Sequence, residues 1–96
     1  MLDFYIIPDE AAGARHPQGL VYAGSLELKL FGNLVKKGWI APRYNYFSDF
    51  RWRSGQVQQL YAQLNSTVQA DTDAEELRRL LAKAVEANSG LMAFGD

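Results

Sequence analysis

Trp39-Ile40-Ala41-Pro42-Arg43-Tyr44-Asn45-Tyr46-Phe47-Ser48-Asp49-Phe50-Arg51-Trp52-Arg53 holds most of the recognition chemistry in this chain. Six of the twelve aromatic residues fall here, together with three arginines. Planar rings and guanidinium groups carry much of the binding energy at protein interfaces, and they also serve as stacking platforms for bases. If the chain is extended across 50–53, Phe50 and Trp52 point to one side and Arg51 and Arg53 to the other. Lys36, Lys37, Arg43, Arg51 and Arg53 face Asp49 alone over residues 36–53, a balance of +4, against −5 for the rest of the chain. Such an island attracts an acidic partner over long range.

Three uses of this segment compete. The rings can be core, with arginine lying over a ring and Asp49 paired to Arg51 or Arg43. They can be a protein contact, for which Arg43, Tyr44, Tyr46, Arg51, Trp52 and Arg53 are the candidate residues. They can hold single-stranded nucleic acid, but a pI of about 5.7 argues against that partner. A further alternative is a small ligand-binding domain or enzyme whose pocket is lined by Tyr44, Tyr46 and Trp52.

Elsewhere the chemistry is sparse. The chain has no cysteine, which removes disulfides, thiolate nucleophiles and cysteine-ligated zinc together. Phosphate-loop, dinucleotide-loop, serine-elbow and zinc-protease motifs are all absent. His16 is the single histidine and sits beside Pro17 in a glycine-containing stretch, without the orienting partner that a general base needs. Asp9-Glu10 offers two carboxylates to a hard cation, but no calcium-loop spacing follows, and a solvated turn accounts for the pair. The sequence therefore calls for no metal and no cofactor, and it points away from catalysis.

The elements that must position the central segment can be read from periodicity. A length of 96 residues with 48% hydrophobic and 22% charged residues fits one globular domain, 1–96. Leu2–Ile7 is rich in aromatic and β-branched residues and stops at Pro8, so it reads as a strand. It has no basic leader, and its apolar run is too short for a signal peptide or a membrane span, which fits a cytoplasmic protein. Residues 20–23 form a short apolar run ended by Gly24, a second candidate strand. Ser25 is a candidate cap for a helix over about 26–37, with Leu28, Phe31, Leu34 and Val35 inward. Gly32 within it calls for a close neighbouring backbone. Ser54 is a candidate cap for a helix over about 55–69, with Val57, Leu60, Tyr61, Leu64 and Val68 on one face.

That second helix carries no charge between Ser54 and Ala70, which fits either a homodimer seam or a wet glutamine face. Thr72-Asp73-Ala74-Glu75 reads as a capping box for a third helix over about 73–88, ended by Asn88-Ser89-Gly90. Residues 91–94 suit a terminal strand. The expected architecture is α+β: the terminal strands pair, and three helices cover one face of a small sheet.

Ser48-Asp49-Phe50-Arg51-Trp52, with Ser54 and Val57 opening a helix, resembles short bacterial proteins of uncharacterised function, some of them immunity partners of toxins. The resemblance spans Tyr44 to Val57. It implies a non-enzymatic cytoplasmic protein that binds one toxin domain. Residues and resemblance together lead to one expectation, a non-catalytic protein-binding module with an acidic partner and no membrane or nucleic-acid role.

Overall fold

The computed structural model describes residues 1–13, 16–66 and 71–95. Strand β1 (Leu2–Ile7) pairs on one side with β2 (Val21–Leu26) and on the other with β4 (Gly90–Phe94). A three-residue strand, β3 (Phe50–Trp52), completes the sheet on the far side of β4. All pairings are antiparallel and the order is β2-β1-β4-β3. The terminal strands thus lie side by side at the centre, as expected, and the fold is α+β.

Helices α1 (Leu28–Lys36), α2 (Ser54–Asn65) and α3 (Thr72–Glu86) supply the second layer. Period-2 alternation decides what the sheet gives them. Leu2 and Phe4 of β1, Leu91 and Ala93 of β4 and Trp52 of β3 join one core cluster with Phe31, Leu34, Val57, Leu77, Leu81 and Ala84. Intervening residues face the other way. There Tyr5 stands edge-on to Tyr22 at 5.3 Å and to Phe94 at 5.6 Å, a row of rings across three strands. Among the described residues no helix is long and apolar enough to cross a membrane.

Several boundaries differ from the sequence expectation, each for a physical reason. Strand β2 runs past Gly24 to Leu26, so Ser25 lies in a strand and caps nothing. Phe4 pairs with Gly24 and Tyr5 with Tyr22, which leaves Ala23 as the extra residue of a bulge. The Ala23 carbonyl accepts a hydrogen bond from Lys83 Nζ at 2.7 Å. An edge strand that is bulged and capped in this way is a poor template for pairing with another chain.

Helix α1 consequently starts at Leu28, after Glu27. Among the described residues, nothing outside its own helix turn lies within 4 Å of where the Gly32 Cβ would be, so no close backbone there accounts for it. Helix α3 is capped by Asp71, whose carboxylate accepts from the Asp73 and Ala74 amides at 3.0 and 3.4 Å. Thr72 is the first helical residue instead of the cap, and Glu75 pairs with Arg78. Asn88, at φ 52°, makes the left-handed stop. Helix α2 ends at Asn65, and the expected extension through 67–69, Val68 included, lies outside the described residues.

Candidate functional site

The segment after α1 is fixed at both ends. Gly38 adopts φ +84°, and the Trp39 and Ile40 amides both donate to the Leu34 carbonyl, at 3.0 and 3.3 Å. That turn buries Ile40 completely and leaves Trp39 half-buried on its flank. Two further turns follow. Tyr44 N–H donates to the Ala41 carbonyl at 3.1 Å, and Phe47 N–H donates to Asn45 Oδ1 at 2.8 Å. Asp49 Oδ1 then accepts from Gly95 N–H at 3.0 Å. The Asp49 pairing with Arg43 or Arg51 considered from sequence is replaced by this tie to the end of β4.

Strand β3 realises the alternation of rings and cations. Phe50 and Trp52 turn inward and meet Phe4 at 6.0 and 5.5 Å between ring centroids. Tyr44 closes this cluster, 4.8 Å from Phe50 and 5.8 Å from Trp52. The floor of the site is therefore continuous with the core. Tyr46 is carried elsewhere: it stands edge-on to Phe31 at 5.6 Å and beside Phe47.

Above that floor lies a cleft of about 190 Å³. One wall is the loop, with Trp39, Ile40 and Ala41, and Arg43 and Tyr44 stand at its rim. The other wall is one face of α2, where Gln56, Gln59, Leu60 and Gln63 recur at helical spacing. Trp52 joins the two walls. Among the described residues no carboxylate lines the cleft, and the one formal charge among them is Arg43.

The Arg43 guanidinium lies over the Tyr44 ring, 5.1 Å from its centroid, and donates to Tyr44 Oη at 3.2 Å. Gln56 Nε2 donates to the same oxygen at 3.3 Å. Burial pushes the Tyr44 phenol up. The donors from Arg43 and Gln56, the Arg43 charge and the Trp52 indole outweigh it and hold the group below its ordinary range. With its oxygen occupied as an acceptor, the phenol has its proton left to give. The rim is a set of donors with apolar walls beneath.

Arg51 and Arg53 lie on the opposite side of β3. Arg51 donates to the carbonyls of Ala11, Pro8 and Asp9 at 2.9, 2.8 and 3.3 Å, and Arg53 donates to that of Asp9 at 2.8 Å. Asp9 turns its carboxylate to Ser54, at the N-terminus of α2, accepting from its amide at 2.9 Å and from its hydroxyl. This carboxylate, weighed from sequence as a cation ligand, thus satisfies an orphan helix amide. Ser54 is not itself the cap, since the N-cap position is Arg53. His16 is exposed. Among the described residues no group of three or more His, Asp or Glu side chains is placed to hold a metal ion.

Of the six candidate residues, Arg43, Tyr44 and Trp52 meet at one cleft. Tyr46 is packed apart from it, and Arg51 and Arg53 are engaged in holding the segment after β1. The cleft also uses residues that sequence reading assigned elsewhere. Trp39 is one of the rings for which the sequence allows a core role. Gln56, Gln59 and Gln63 belong to the uncharged helix that fits either a homodimer seam or a wet glutamine face, and their i, i+3, i+7 spacing around Leu60 is the available signal of a shared wall. The row of Tyr5, Tyr22 and Phe94, with Tyr22 exposed and the other two half-buried, is likewise not evident from sequence, because it follows from the strand parity of three separate segments. Comparisons with protein-family models, curated proteins and solved structures return no match for this chain.

Proposed function

We propose that the protein is a small non-catalytic binding module that takes an acidic segment of a protein partner into the cleft between the 39–44 loop and α2. The observation that carries this reading is the charge of the cleft. Among the described residues that line it there is no carboxylate to pair with Arg43, whose guanidinium donates to Tyr44 Oη at 3.2 Å. A guanidinium has five N–H donors in a planar fork that matches a carboxylate. The neighbouring Trp39, Tyr44 and Trp52 are of the residue types that supply the desolvated centre of an interface. A cytoplasmic setting and a toxin-immunity role, implied by the resemblance over Tyr44–Val57, belong to the same class of function.

The second reading is a small-molecule site around residues 44–52, favoured by the concavity between Trp39 and Trp52. At about 190 Å³ the cleft falls below the roughly 300–1,000 Å³ usual for small-molecule pockets, which favours a single side chain of a larger partner. Self-association through the uncharged α2 would use the same surface, because Gln56, Gln59 and Gln63 belong to the cleft. Sedimentation at micromolar concentration should report a monomer with the cleft open.

Peptide selection from a displayed random library tests the proposal. Wild-type protein should enrich carboxylate-bearing peptides. Folded Arg43→Ala should fail to enrich them, while Lys29→Ala, which alters an exposed cation on α1, should enrich them normally. Enrichment of the same peptides by Arg43→Ala would overturn it.

A further inference from the structure

Building on that reading, we infer that the unit the cleft recognises is the C-terminal residue of a partner, an apolar side chain with its free α-carboxylate. Size and adjacency point to this unit. The cleft has room for about one side chain, and its two demands are set close together. Half-buried Trp39 and Leu60 offer apolar surface above the buried Ile40 and Trp52, and Arg43 and Tyr44 at the rim offer donors and positive charge.

An internal aspartate or glutamate brings a carboxylate but no apolar body, and its two flanking peptide groups would have to be accommodated against the Trp and Leu walls. An internal leucine or phenylalanine fills the walls and leaves Arg43 without an anion. Within a polypeptide, an apolar residue at the C-terminus is the residue that carries both groups on one Cα. C-terminal carboxylates are a recurring recognition element for this reason.

The donors are arranged for that anion before it arrives. Stacking on the Tyr44 ring and the bond to Tyr44 Oη hold the Arg43 guanidinium at the rim. Gln56 holds the Tyr44 oxygen from the other side, so the phenol proton is available to the same carboxylate. A preorganised donor pair loses less freedom on binding than two mobile side chains. Gln59 also lines the α2 wall, and its side-chain amide can both donate to and accept from a peptide group.

Three synthetic peptides test the inference by NMR, followed through the indole N–H signals of Trp39 and Trp52. They are an acetylated Gly-Ser-Gly-Phe with a free C-terminus, the same peptide ended as an amide, and an acetylated Gly-Glu-Gly-Ser amide. The free acid should move both indole signals, and the amide should bind roughly 10–100-fold more weakly, the range for losing a charge-assisted hydrogen-bonded pair. Arg43→Ala should erase the difference between acid and amide. Equal binding of the two Phe peptides overturns the inference. So does tighter binding of the internal glutamate peptide, which would leave the cleft as a site for acidic segments. Absence of any shift with the free acid at millimolar concentration overturns it as well, and the library selection then decides separately whether the cleft binds acidic segments at all.

Discussion

Asp9 accepts both hydrogen bonds that Ser54 has to give, one from its amide and one from its hydroxyl, across 45 residues of sequence. The pair joins the end of β1 to the start of α2, and α2 is a wall of the cleft. Its acid sensitivity has a definite sign. Hydrogen bonds from the Ser54 hydroxyl and amide, followed by the charges of Arg53 and Arg51, outweigh burial and hold the Asp9 carboxyl below its ordinary value of 3.8. A carboxyl depressed on folding contributes stability above its unfolded pKa and loses it as pH falls through the folded one. Stability should therefore decline below about pH 4, with Asp71 and Glu75 shifted the same way and adding to it. Urea unfolding across pH 7 to 2 should show Asp9→Asn less stable than wild type at pH 7 and with a shallower acid decline. Parallel curves for the two proteins would mean that the carboxylate is not titrating with folding.

The cap of α3 is Asp71, one residue before the Thr72 that the capping-box pattern suggests. Asp71→Ala removes an acceptor for two helix amides and a partner of Lys37 at 2.9 Å, so its Tm should fall by several degrees. Thr72→Ala should move Tm much less, because Thr72 occupies the first turn without capping it. A larger effect at Thr72 than at Asp71, measured by calorimetry, would contradict the assignment.

Gly90 opens β4 against the end of β3. A Cβ there would lie 2.2 Å from the Trp52 carbonyl oxygen and 3.0 Å from Arg53 Cα, both backbone atoms. Gly90→Ala should cost at least about 1–3 kcal/mol by forcing the strands apart, the range for overpacking a filled site. Chemical denaturation that found no change would mean that β3 does not pair where Trp52 is opposite Leu91.

Trp52 and Trp39 should behave differently although both line the cleft. Trp52 is 3% exposed within the aromatic cluster, and Trp52→Ala should cost about 3–5 kcal/mol in urea. Trp39 is half-buried, so Trp39→Ala should cost distinctly less stability and more peptide affinity. Equal stability losses would return Trp39 to a purely structural role.

Much of the fold is legible in sequence because period and punctuation are local. The strand at Leu2–Ile7 and the three helices follow from spacing, and the pairing of terminal strands follows from strand candidates at both ends with helices between them. What is not legible depends on distant partners. Asp9 gives no sign in sequence of reaching Ser54, and Arg51 and Arg53 give none of binding carbonyls at Pro8, Asp9 and Ala11. Gly24 reads as a strand end. The bulge at Ala23, with its carbonyl held by Lys83, instead lets the strand continue. At the cleft, composition identifies the aromatic and basic segment, but dividing its arginines between scaffold and rim requires the fold.

The affinity of folded Arg43→Ala for a carboxylate-bearing peptide selected by the wild-type protein is the most direct measure of the central claim. Arg43 is exposed and bonds to its neighbour Tyr44, so the substitution should leave the urea midpoint nearly unchanged, within about 0.5 kcal/mol. Affinity should fall roughly tenfold or more, as expected when a charged hydrogen-bonding partner is removed. Retained affinity in that folded variant, with loss appearing instead in a folded Arg53→Ala, would place the binding surface on the other side of β3 and contradict the account.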